Sequence, residues 1–154
     1  MENHWIFEGK PFDVSLIGKN VGFVYIITNN ISGKAYIGRK YFKMKKVFQK
    51  NLKKFKQSVD SNWPIYTGSS DKLNEDIKTL GKENFTFEII ALGLTTGVVN
   101  FLEVHFQFKY GVLFSDKFYN ENILGKYYTD LVSTYPSKTL LSESFKDKET
   151  QIIL

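Results

Sequence analysis

The sequence predicts an α/β domain, an α+β sandwich with a three-stranded, mostly antiparallel sheet flanked by helices. Three observations predict it. VGFVYIIT (21–28) and KAYIG (34–38) are rich in β-branched and aromatic residues and flank the turn NNISGK, the pattern of a hairpin. FTFEIIAL (85–92) is a third run of the same kind. Between and after these stand two helical patterns, DKLNEDIKTL (71–80) and TTGVVNFLEVHFQFKYG (95–111).

Taken in order, residues 1–20 read as an irregular leader that packs on the domain through Trp5, Ile6, Phe7 and Phe12. In the hairpin turn, Asn tolerates left-handed backbone angles and Gly33 adopts them without steric cost. From about Lys40 to Lys56, Phe42, Val47, Phe48, Leu52 and Phe55 recur among lysines, and this spacing predicts a helix. DSNWPIYTGSS (60–70) is a loop by its Pro64, Gly68 and serines. Ser70 or Asp71 caps the next helix, whose Leu73, Ile77 and Leu80 share one face and which Gly81 ends. The second helix is apolar nearly all round, hence largely buried. The domain spans 21–123, and 124–154 is a polar tail, a short helix or extension too short for a second domain.

Composition excludes several classes. With no cysteine there is neither a disulfide framework nor a thiolate metal site. No apolar run approaches the roughly 20 residues of a membrane-spanning helix, and MENHWIFEGK lacks the features of a signal peptide. A cytoplasmic setting is the expectation. Charge is unevenly spread. Residues 14–59 hold no Asp or Glu but 11 positive charges, so the remainder carries 5 − 11 = −6. Such asymmetry points to a polyanionic partner, although a lysine run is also the ordinary make-up of a solvated face.

Tyr25 and Tyr36 stand on the two hairpin strands, with Gly38, Arg39 and Lys40 directly after. A lone strand tyrosine is ordinarily a half-buried ring with its hydroxyl at the rim. Here a buried-looking helix also presents one carboxylate, Glu103, whose neighbours at helical spacing are Val99, Asn100, Phe106 and Gln107. His4 and His105 have no companions at zinc spacing and read as structural. Asp71, Glu75 and Asp76 read as the solvated, dipole-favoured start of a helix.

These residues resemble the GIY-YIG nuclease family. Its first motif stands as GFVYIITN, with Phe23 intervening between Gly22 and Val24, and its second as AYIG (35–38). SSDKLNEDIKTLGKENF resembles the family's middle helix and following strand, NFLEVHF the helix with the single metal-binding glutamate, and YNEN the closing Asn-containing segment. WIFEGKPF and WPIYTGSS look most like small stand-alone members of tailed phages, related to Seg-type homing endonucleases.

The resemblance implies a metal-dependent endonuclease acting on double-stranded DNA, with a homodimer as one arrangement. Glu103 would hold one Mg²⁺, or Mn²⁺, since Mg²⁺ accepts a single carboxylate plus waters and phosphate. Tyr25 would orient or deprotonate water, with Tyr36 beside it, Arg39 and Lys40 supplying positive field, and Asn120 closing the site. The family's helical arginine falls at Lys46, eight residues beyond Gly38, and a further His or Tyr position at Lys50. Arg39, Lys40, Lys45 or Lys46 would then take the arginine's task. Lys43, Lys45, Lys50, Lys53, Lys54 and Lys56 would follow backbone phosphates together with Lys46. Tyr66 and Trp63 could stack on bases, or simply pack. Two rivals stay open: a catalytically weak or dead nucleic-acid binder with the same fold, and an accessory protein that binds another protein.

Overall fold

A five-stranded sheet in the order β2-β1-β7-β3-β4 forms the centre of the molecule, a computed structural model that describes residues 2–123 and 140–142. The strands are β1 (Ile6–Phe7), β2 (Lys10–Pro11), β3 (Gly22–Asn29), β4 (Ala35–Tyr41) and β7 (Phe85–Gly93). A separate ribbon consists of β5 (Lys43–Lys50) and β6 (Lys53–Asp60), and a short β8 (Leu140–Leu141) also pairs with β7. All pairings are antiparallel except β1 with β7. The expected three strands are therefore β7, β3 and β4, which lie side by side, and the sheet is wider than three.

Alternation along the strands divides the core into two layers. Phe23, Tyr25 and Ile27 of β3 and Phe85, Phe87 and Ile89 of β7 face one side, covered by Leu73, Ile77 and Leu80 of helix α1 (Asp71–Leu80). Val24, Ile37, Ile90 and Ala91 face the other, covered by Val98, Val99, Leu102 and Phe106 of α2 (Thr96–Lys109). Each of those α2 side chains contributes about 2 kcal/mol by leaving water. The α1 start is as expected, with the Ser70 hydroxyl accepting from Leu73 N at 3.3 Å. Thr95 caps α2 in the same way, accepting from Val98 N at 3.1 Å.

Two expectations are corrected. The leader is no mere packing segment: β1 and β2 join the sheet, and Trp5 is 1% exposed with its indole N–H donating to Trp63 O at 2.6 Å. Residues 43–60 form a β-hairpin and no helix. Phe48 and Phe55 pair across it, and Asn51 and Leu52 take the positive φ angles of a two-residue turn. A helix would have needed a core to bury that stripe, yet the ribbon pairs with no other strand among the described residues and its side chains are exposed except Val59. The expected tail lies outside the described residues apart from 140–142. No described helix is long and apolar enough to cross a membrane.

Candidate active site

The site forms along β4, the sheet's edge strand, where side chains from both faces of the sheet converge. Tyr36 and Gly38 point toward the α1 layer, and Ile37 and Arg39 toward α2. Gly38 lies opposite Tyr25 in the β3–β4 register. A Cβ there would come within 2.5 Å of the Tyr25 hydroxyl oxygen and 2.8 Å of Tyr36 Cε1. Only glycine leaves room for the Tyr25 ring to lie over the strand. Tyr25, Tyr36 and Tyr66 then cluster, with both ring-centroid separations from Tyr25 at 6.2 Å.

From the other face α2 delivers Glu103, 8% exposed, which forms an ion pair with Arg39. The edge of β4 is held by side chains. Asn120 Oδ1 accepts from Ile37 N at 3.0 Å, and its Nδ2 donates to Ile37 O at 2.7 Å. Gln107 Nε2 donates to the same carbonyl at 3.0 Å. Residues 117–119 complete this closure: Ala35 N donates to Lys117 O at 2.9 Å and Tyr119 N to Ala35 O at 2.7 Å. Tyr119 also bonds to Asn29 and Asp76, at 3.0 and 2.6 Å, so Asp76 is tied into the fold and is no purely solvated acid.

The resulting cleft, about 320 Å³, is lined by Tyr25, Tyr36, Arg39, Lys40, Tyr66 and Glu103, together with Tyr41, Lys43, Met44, Ser61 and Ser69. A second cleft of about 240 Å³ shares Tyr36, Arg39, Ser69 and Glu103 and adds Asn120 and Gln107. Glu103 thus borders both. Burial raises its carboxyl pKa, and Arg39 only partly offsets this. Tyr25 is pushed well above the usual phenol range, by burial first and then by Tyr36, Tyr66 and Glu103. Burial also raises Tyr36, against the hydrogen bond its hydroxyl shares with Ser69 Oγ at 2.9 Å. Burial thus favours the protonated form of both phenols, and Arg39 opposes the shift at Tyr36.

The remaining candidates divide clearly. Lys40 lines the cleft; its Nζ donates to Asn62 Oδ1 at 2.7 Å and lies 3.8 Å over the Tyr66 ring, and burial lowers its pKa. Lys43, where β5 begins, also lines the cleft. Lys45, Lys46, Lys50, Lys53, Lys54 and Lys56 sit exposed on the ribbon and line none of the described clefts that hold Glu103. Trp63 is 3% exposed and packs in the core, so it presents no face to a base. His4 stacks on Phe87 at 4.1 Å, and His105 on Phe101 at 6.0 Å. Sequence reasoning missed Tyr41, Ser61 and Ser69, which only the folded loops bring together. Gln107, one helical turn beyond Glu103, was within reach of spacing alone.

Residues 5–123 match the family described as "Putative endonuclease segE, GIY-YIG domain". Neither curated proteins nor solved structures yield a match. The match spans the whole sheet core, both helices and every cleft residue named above. The chain belongs to the GIY-YIG endonuclease family, in its Seg-like branch.

Proposed function

We propose that this protein hydrolyses phosphodiester bonds of double-stranded DNA with one divalent cation, Mg²⁺ or Mn²⁺, held by Glu103. The observation that carries the reading is the convergence of Glu103 and Arg39 with Tyr25 and Tyr36 on the edge strand, around the side-chain-free Gly38.

The donor chemistry fits a hard cation. Glu103 is a buried carboxylate that borders both clefts and pairs with Arg39. The described residues contain no cluster of three or more His, Asp or Glu, so further ligands would be water and phosphate oxygens, the set Mg²⁺ prefers. A cation bound there supplies charge neutralisation at the phosphoryl and leaving oxygens.

The chain's own groups do the rest. Arg39, on the same carboxylate, holds five donors in a fixed fork, so it can keep Glu103 and grip a phosphate oxygen as well. Tyr25 and Tyr36, protonated, serve as hydrogen-bonding groups that orient the attacking water and the phosphate rather than as standing bases. Lys40 is the cation that takes the place of a helical arginine, because it lines the cleft and Lys46 does not. Asn120 is a positioning residue, since both polar atoms of its amide are committed to Ile37.

The seven ribbon lysines supply phosphate contacts. If all engage, log K against log salt falls with a slope of up to about −6. Nicking of supercoiled plasmid in Mg²⁺, in Mn²⁺ and in EDTA tests the reading. Cation-dependent nicking supports it; salt-sensitive binding without nicking in either metal would favour the non-catalytic binder.

A further inference from the structure

The β5–β6 ribbon breaks two local rules at one residue. Its strands pair only with each other among the described residues, and every side chain but Val59 is exposed. An isolated two-stranded hairpin is marginal in water, so one that covers no core of its own gains little from the domain that carries it. Its sixteen strand residues hold seven lysines against the single acid Asp60. That charge fits a polyanion, and β-ribbons are among the elements that DNA-binding proteins lay in the major or the minor groove.

At the tip, Lys50 pairs with Lys53 around the two-residue loop Asn51–Leu52, whose φ angles are 50° and 64°. Both positions of such a turn need left-handed backbone, which suits Asn51; the second is ordinarily glycine. Leu52 is instead branched and apolar, and 91% exposed. Neither turn geometry nor core packing accounts for a leucine there. Places where a sequence violates local preference without a folding gain are characteristically functional. Apolar wedges between base steps are the device by which minor-groove proteins kink DNA. Behind the tip, Phe48 and Phe55 stack across the strands at 5.9 Å and stiffen the ribbon.

The ribbon is also anchored at the cleft, because Lys43 and Met44 line it. Eight residues of strand reach about 25 Å, or about seven base pairs of duplex.

Resting on the reading of the chain as a DNA enzyme, we propose that the β5–β6 ribbon lies in the minor groove and that Leu52 enters the base stack as a wedge. The substrate is thereby kinked within about seven base pairs of the scissile bond.

The test uses the full chain in EDTA, so that nothing is cut, on a short duplex with fluorophores at both ends and 2-aminopurine at successive positions. Wild type, Leu52→Gly and Leu52→Asn are compared, both substitutions suiting the turn. All three should bind with the same salt slope, the variants no more than about tenfold weaker. Wild type should raise 2-aminopurine emission at one position and end-to-end energy transfer, and the variants should lose both signals without a lower melting temperature. Equal binding with the same signals from all three would overturn the wedge alone. Failure of wild type to bind DNA in a salt-sensitive way would overturn the wedge together with the DNA reading.

Discussion

Gly38 faces Tyr25 across the β3–β4 hairpin, and a Cβ on it would lie 2.5 Å from the Tyr25 hydroxyl oxygen and 2.7 Å from Cζ. Gly38→Ala must therefore move the buried Tyr25 ring or the edge strand. The expected cost is about 1–3 kcal/mol of stability, measurable by denaturant melts, with a larger proportional loss of nicking. Gly38→Ala combined with Tyr25→Phe should recover little stability, because the Cζ contact remains.

Asn120 completes the pairing of β4 as a neighbouring strand would, through both backbone groups of Ile37. Asn120→Ala leaves the buried Ile37 N–H without its acceptor, an expected loss of about 1–3 kcal/mol. As a positioning residue it should also raise the cation concentration needed for half-maximal nicking, which a purely structural loss would leave unchanged. Gln107, still bonded to Ile37 O at 3.0 Å, should keep the strand attached.

How much of this was legible follows from where each signal resides. Strands β3, β4 and β7 and helices α1 and α2 announce themselves by period and caps, and Tyr25, Tyr36 and Glu103 by their place in those elements. The ribbon did not, because its turn carries Leu52 where glycine would have marked it, and its lysines mask the alternation. The leader's strands are two residues each, too short for any pattern, and only packing reveals that Trp5 belongs to the core. Lys46 therefore stands exposed on the ribbon while Lys40 lines the cleft.

Acid should weaken the fold through His4. Burial, together with Lys82, lowers its pKa from 6.5 to about 4, although the hydrogen bond from Nε2 to Tyr66 O at 3.0 Å opposes the shift. The neutral ring's contribution is fully present above pH 6.5. Below that the unfolded chain binds a proton that the native state refuses, so stability falls until about pH 4. After discounting for partial exposure, the loss amounts to about 2 kcal/mol. Urea melts of wild type and His4→Gln between pH 7 and pH 5 should diverge in slope, and parallel curves would refute the assignment.

Glu103→Gln asks whether the Glu103 carboxylate carries the metal-dependent chemistry. Supercoiled-plasmid nicking in Mg²⁺ and DNA binding in EDTA are measured for both proteins, with thermal melts to confirm folding. Wild type should nick only with the cation present, and Glu103→Gln should lose at least about a hundredfold while keeping salt-sensitive DNA binding. Equal nicking by the two proteins, or nicking that persists in EDTA, would contradict that role.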